Sequence, residues 1–266
     1  MQFKRSFEKQ GRIWIPKYDR VNDYRFNKYK QRWEKVRAAI SYDSNGGIEA
    51  NAPASITWNH TCTGASVLVV GVGVVDTSGG GPASVLSITY GVTNNLSFIR
   101  RDPQPSKSNA SEIWFLANPP TGTAAILVTF TTTPNITGAG GSVSLIGSAT
   151  TVNANNGSVA ASGQPGTVVT TTVDNAWVVD VWQDNGSSDS PSATSPSVRR
   201  VSVAFGGTDR PLGMSTQGPV SPAGGATMAW TGFTDGWAQS AAAFGPASAS
   251  TPLTEALSDN ANSDNW

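Results

Sequence analysis

The sequence predicts an all-β protein, an antiparallel β-sandwich or jelly roll entered through an N-terminal extended arm and a short amphipathic helix. Three observations predict it. Short apolar or alternating runs recur between residues 54 and 246, separated by clusters of Gly, Pro, Asn and Ser. Only 14% of the residues are charged while 28 are glycine, a balance that suits a turn-rich exterior β protein better than a cytosolic enzyme. The charge is also divided. Residues 1–43 carry twelve Lys and Arg against five Asp and Glu, and the rest of the chain carries six against thirteen, which marks an arm apart from a body.

The arm comes first. Within residues 1–20, Phe3, Phe7, Ile13, Trp14 and Ile15 stand among many charges, and Pro16 stops any helix. No apolar stripe there is long enough to offset the entropy of ordering, yet the segment is too aromatic for a solvated tail. It reads as an arm that becomes ordered on a partner. From Tyr24 to Ile40 the spacing changes: Phe26, Tyr29, Trp33, Val36 and Ile40 recur at steps of three and four, one stripe of a helix. Asp23 is its N-cap, and Lys28, Lys30, Arg32, Lys35 and Arg37 fall largely off the stripe. Two heptads do not establish a coiled coil, so the stripe serves a face packed on its own domain as well as an intermolecular seam. The expected docking set is Phe3, Phe7, Trp14, Phe26, Tyr29, Trp33, Val36 and Ile40, within an arm and helix spanning 1–43.

Residues 44–53, with Asn45-Gly46-Gly47 and Pro53, read as a linker, and 54–246 as the sandwich. Its strands are expected at 54–60, 66–75, 84–91, 96–100, 112–117, 124–132 and 142–149, then at 167–172, 176–183, 198–205, 226–231 and 237–244. Val69-Val70-Gly71-Val72 before Asp76 echoes Val178-Val179-Asp180-Val181 before Asp184, as a duplicated half would, although strands resemble one another readily. Residues 247–266, rich in Ser, Asn, Asp and Ala and closed by Trp266, read as a flexible tail.

Chemistry is sparse. The one cysteine, Cys62, excludes an intrachain disulfide and a thiolate metal cluster. His60 is the sole histidine, so H-E-x-x-H cannot form, and no G-x-S-x-G elbow accompanies it. Alternation puts it on the face of Ile56 and Trp58, the place of a hydrogen-bonded structural residue. Asp76, Asp102, Glu112, Asp174, Asp180, Asp184, Asp209 and Asp235 are scattered singly rather than as the paired carboxylates of a glycosidase. Asp184, Asn185 and Asp189 offer hard oxygens in one loop, without the spacing of a known calcium loop. Gly79-Gly80-Gly81 lacks the Lys and Ser/Thr of a phosphate cradle. No catalytic, cofactor-binding or metal-binding residues are therefore assigned, and the expectation is a non-enzyme. Most tryptophans belong to a core, leaving Trp114 and Trp182 as candidate glycan contacts. Acids and aromatics among the basic residues disfavour nucleic acid as the partner of the arm. The N-terminus lacks the apolar stretch of a secretory signal and the longest apolar run, Val67 to Val75, is too short to span a bilayer, so the expected origin is a host cytoplasm without membrane insertion.

The strand text resembles a known module. Trp58-Asn59-His60-Thr61-Cys62-Thr63-Gly64, then Leu68 to Val72, Val85 to Gly91, Glu112-Ile113-Trp114-Phe115-Leu116 and Pro119-Pro120-Thr121-Gly122 are similar to a β-sandwich module of phage virion proteins. Minor tail proteins of phages that infect actinobacteria are the nearest in kind. Thr227 to Thr231 and Trp237 to Phe244 fit its last strands, so the resemblance covers roughly 51–247. It implies a virion component at or near the tail tip, where such modules support or contact host-envelope attachment, with a host-envelope glycan as the contact. Residues 1–43 lie outside the match, and their composition alone gives the expectation that they bind other virion proteins, with the chain a homo-oligomer within the particle. Head decoration and a carbohydrate-binding module are the alternatives. No catalytic residues come with the resemblance.

Overall fold

The computed structural model describes residues 6–10, 13–17, 24–27, 32–35, 39–76, 81–104, 109–135, 137–186, 191–203, 210–232 and 235–247, with side chains from residue 39 onward. All regular structure among them is antiparallel β. The chain divides into two units, one formed by residues 1–37 and 248–266, the other by residues 38–247.

In the first unit, β1 (Ser6–Gln10) pairs with β2 (Ile13–Lys17), placing Phe7 opposite Pro16 and Lys9 opposite Trp14. Strand β3 (Tyr24–Asn27) pairs with β4 (Arg32–Lys35), placing Phe26 opposite Trp33. The helix expected over residues 24–40 is corrected by this pair. Its stripe was made of Phe, Tyr, Trp, Val and Ile, the residues that favour a pleated surface, and a short run of them carries helical and extended spacing alike. Phe3, Tyr29 and Val36 lie outside the described residues, as do the side chains of Phe7, Trp14, Phe26 and Trp33.

The second unit begins with nine strands: β5 (Ser41–Asn51), β6 (Ser55–Cys62), β7 (Val67–Val75), β8 (Val85–Tyr90), β9 (Asn94–Asn95), β10 (Ser97–Gln104), β11 (Asn109–Ala117), β12 (Gly122–Phe130) and β13 (Thr137–Ile146). They form a sheet of order β10-β11-β7-β13-β5 and a smaller one of order β6-β12-β8-β9. Eight more follow: β14 (Ser148–Ala160), β15 (Gly166–Thr170), β16 (Ala176–Asp184), β17 (Ser192–Ala193), β18 (Val198–Val203), β19 (Leu212–Val220), β20 (Gly225–Thr231) and β21 (Trp237–Pro246). Their sheets run β18-β19-β16-β21-β14 and β15-β20-β17. Setting aside the two-residue β9 and counting strands afresh in each half, both larger sheets read 5-6-3-8-1 and both smaller sheets read 2-7-4. The body is one pairing scheme used twice.

Burial follows from that scheme. In β6 every second residue is buried, with Ile56, Trp58, His60 and Cys62 inward, as expected of a sheet with one face in water. Every residue of β7 is buried, because its sheet is covered on both sides. Leu68, Val70, Val72 and Val74 join Ile88, Ile126 and Val128 of the smaller sheet in one apolar cluster. Val67 and Val69 join Val179, Val181, Met214 and Phe244 of the second half in another, the seam between halves. Beyond the seam, Val178, Ala241 and Ala243 meet Val169, Ala226 and Met228. At Gly71 the backbones approach so closely that an added Cβ would lie 2.6 Å from Cβ of Val181. The third strands of the two halves therefore face each other, and alternation aligns them in parity, even-numbered residues of each turning toward its smaller sheet. The valine echo read in the sequence is displaced by one residue from that alignment.

Two further expectations change. The linker assigned to 44–53 holds most of β5, which pairs along β13 from Ser41 opposite Ile146 to Asn51 opposite Thr137. Ile40, placed in the docking set, is only 6% exposed and packs into the seam cluster. At the far end, Pro246 pairs with Ser148 and the Ala247 N–H donates to the carbonyl of Gly147 at 2.9 Å. Both ends of the body thus lie beside the turn at Gly147. Residues 248–266 lie outside the described residues.

Candidate functional site

Two buried polar clusters occupy corresponding places in the halves, each joining the first, second and eighth strands. In the first half the cluster centres on His60, which is 1% exposed. The Trp58 Nε1–H donates to Ser142 Oγ at 2.9 Å, and Ser142 Oγ lies 2.8 Å from His60 Nδ1. His60 Nε2 lies 3.0 Å from both Ser44 Oγ and Ser144 Oγ. The Ser144 hydroxyl donates to Asp43 Oδ2 at 2.8 Å, and that of Ser44 donates to the carbonyl of Thr61. With both serines donating onward, each can only accept from His60, so Nε2 carries the proton and Nδ1 accepts from Ser142. The donors then run one way: Trp58, Ser142, His60, Ser144, Asp43. Burial, with the Asp43 charge opposing it, lowers the His60 imidazole from its ordinary value to about 4. Burial raises the Asp43 carboxyl, but hydrogen bonds from Thr63 and Ser144 outweigh it and leave the group below its ordinary value.

This geometry does not assemble a nucleophile. A serine between imidazole and carboxylate leaves the ring without the directly bonded acid of a Ser-His-Asp triad, and both Ser142 and Ser144 are fully buried.

In the second half the centre is Asp180, also fully buried. Its Oδ1 accepts from the backbone N–H and the hydroxyl of Ser215 at 2.8 and 2.7 Å. Its Oδ2 accepts from Trp230 Nε1 and Gln239 Nε2, each at 2.7 Å. Gln239 Oε1 accepts from Thr167 Oγ1 at 2.8 Å, and Thr167 in turn bonds the hydroxyl of Ser158. Burial pushes the Asp180 carboxyl up, opposed by the bonds from Ser215, Trp230 and Gln239. All four donors point at acceptors, so the carboxylate is held and closed to any substrate proton.

The other acids behave alike. Glu112, 2% exposed, accepts from the Val85 N–H and from Trp114 Nε1, each at 3.0 Å, and pairs with Arg101 at 3.1 Å. Burial pushes its carboxyl up. Asp102 pairs with Arg100 at 2.6 Å and accepts from the Ser240 hydroxyl at 2.5 Å across the seam. Asp184 accepts from the backbone N–H of Asn185, while Asp189 lies outside the described residues. Among the described residues, no group of three His, Cys, Asp or Glu could hold a metal ion.

The two candidate glycan contacts diverge. Trp182 is fully buried against Trp230, with ring centroids 5.3 Å apart, and this removes it from any ligand surface. The alternation that hid it places even-numbered residues of β16 toward the smaller sheet. Trp114 is half-buried, its indole fixed by Glu112, and Phe98, 53% exposed, meets it edge-on at 5.1 Å. The sequence signal for Phe98 was its place in β10 directly opposite Trp114, visible only once the register is known. No family model, curated protein or solved structure matches the chain.

Proposed function

We propose that this chain is a non-enzymatic structural protein of a phage particle, a minor tail protein at the tail tip, whose N-terminal segment binds other virion proteins while the body faces outward. One observation carries the reading most directly. The body repeats one β pairing scheme, and the polar groups buried within it cross-link strands instead of lining an opening. The 5-6-3-8-1 and 2-7-4 orders fit two jelly rolls in tandem, back to back through their larger sheets. The basic, aromatic segment 1–37 supplies a docking surface of a different chemistry, and the resemblance of 51–247 to a phage module supplies the setting. Head decoration is the alternative placement in the same particle.

A second reading is favoured by the Phe98–Trp114 pair, the place where aromatic rings at a strand edge reach solvent. Contact with a host-envelope glycan there would suit a protein at the tail tip. Immunogold labelling of purified particles with an antibody against residues 51–247 tests the main reading. Label at the tail tip supports it, label over the head moves it to decoration, and particles without label overturn it. Tryptophan fluorescence that changes when envelope glycan is added, and fails to change in Trp114→Ala, would establish the second.

A further inference from the structure

We propose that Asp43, Ser44, His60 and Ser144 form an acid-released latch fastening β5, the strand that leads in from the N-terminal segment, to the rest of the body. The latch stands whether or not that segment docks on a particle. Three facts of geometry support it. Asp43 and Ser44 lie on β5, His60 on β6 and Ser144 on β13, so the cluster ties an edge strand both to its sheet partner and to the edge of the smaller sheet. The run of donors described above goes with a neutral imidazole. A proton on Nδ1 would reverse the 2.8 Å bond, leave the Ser142 oxygen accepting from both Trp58 and the ring, and turn its own proton to the carbonyl of Gly46, 3.4 Å distant. The resulting charge would also sit in a space from which water is excluded. Opening β5 removes Ser44 and Asp43 from the ring and admits water, so protonation and opening favour each other.

The groups around the ring leave this titration to His60. On β5, hydrogen bonds keep Asp43 ionised into more acidic solution than usual. On β6, burial raises the Cys62 thiol. On β8, Tyr90 stands edge-on with its ring centroid 6.4 Å away, and burial pushes its hydroxyl up to about 12. Neither Cys62 nor Tyr90 ionises in acid. From β12 the residue opposite is Ala124, and β13 contributes only Ser142 and Ser144. The second half supplies an internal control, because at the corresponding contact Ser158 of β14 meets Thr167, which donates to Gln239, and neither partner carries a titrating proton.

Hydrogen exchange of the full chain between pH 7 and pH 4, corrected for intrinsic rates, tests the latch. Protection of β5 amides should fall on the order of 100-fold relative to β14 amides, from the gap between an ordinary imidazole and one near 4. His60→Gln should remove that dependence. Equal responses of β5 and β14, or a dependence that survives His60→Gln, would overturn the proposal. Should the variant fail to fold, the unmodified chain decides alone. Its one histidine gives a single Cε1 resonance, and a midpoint near 6.5 would sink the latch, whereas a midpoint near 4 that tracks β5 exchange sustains it.

Discussion

The two halves of the body share a strand order but hold it with different polar chemistry. The first half joins its first, second and eighth strands through an imidazole and three serines that end on Asp43, at the solvent side. The second joins the corresponding strands through Ser158, Thr167 and Gln239, and ends on Asp180, at the centre of its core. On the corresponding face of the third strand in the first half, Val70 and Val72 pack in an apolar cluster. The same backbone layout therefore accepts a carboxyl centre met by four donors or a hydrocarbon one. What is common to the halves is the pairing and the alternation; what differs is how each fills its core.

Breaking the carboxyl centre should have the largest effect. Asp180→Ala leaves the donors of Ser215, Trp230 and Gln239 without their acceptor, and should destabilise the body by about 3–5 kcal/mol in denaturant unfolding. A loss under about 1 kcal/mol would mean that the second half relaxes around the gap.

The next effect separates the halves by pH. The His60 midpoint is about 4 in the folded protein and about 6.5 when unfolded. Between those values the unfolded chain binds more protons, so stability is fully present above about pH 6.5 and declines as the pH falls toward 4. The loss should reach about 3 kcal/mol, read as the difference between unmodified protein and His60→Gln. The buried Glu112 and Asp180, shifted upward, work in the opposite direction, which is why the difference and not the raw curve is the measurement.

A smaller effect addresses the seam. Gly71→Ala forces a methyl group against Val181, where the backbones leave no room, and should cost about 1–3 kcal/mol. Because the larger sheets hold the halves together, the variant should also broaden or split a single thermal transition; an unchanged sharp transition would show that the seam yields. Smallest of all, Val92→Ser at a side chain 96% exposed should move stability by less than about 0.5 kcal/mol.

Strands with an apolar face were legible in the sequence. The alternation of Ile56, Trp58 and His60, the run Val67–Val75, and Ala176–Trp182 interrupted only by Asp180, announce their burial directly. Three of the longer strands of the body were not legible, for separate reasons. Strands β5 and β14 are edge strands of largely polar residues, and partners already in register hold them in place. Strand β19 reads as broken because it contains Gly213, Gly218 and Pro219, yet Gly213 is a packing residue whose Cβ would lie 2.4 Å from Trp182 Nε1. The structural role of His60 followed from its face, whereas its partners Ser44, Ser142 and Ser144 are too common a residue type to signal themselves. The same holds for Asp180, read as one scattered acid until Trp230 and Gln239 came into reach. In the N-terminal segment the aromatic spacing was real, but Phe26 and Trp33, two residues of the helical stripe, stand opposite each other in the pair of β3 and β4.

The meeting of both body ends beside Gly147 has a mechanical meaning. Tension applied between Ser41 and Pro246 enters and leaves almost at one point, so the body hangs as a pendant and does not bear load along its length. Such a pull would peel β5 from β13 and β21 from β14 one rung at a time, starting at the turn, where resistance is low. Past the rung that joins Leu145 to Tyr42, the peeling front reaches the anchors Asp43 and Ser44 that hold His60, and the first half would give way before the second.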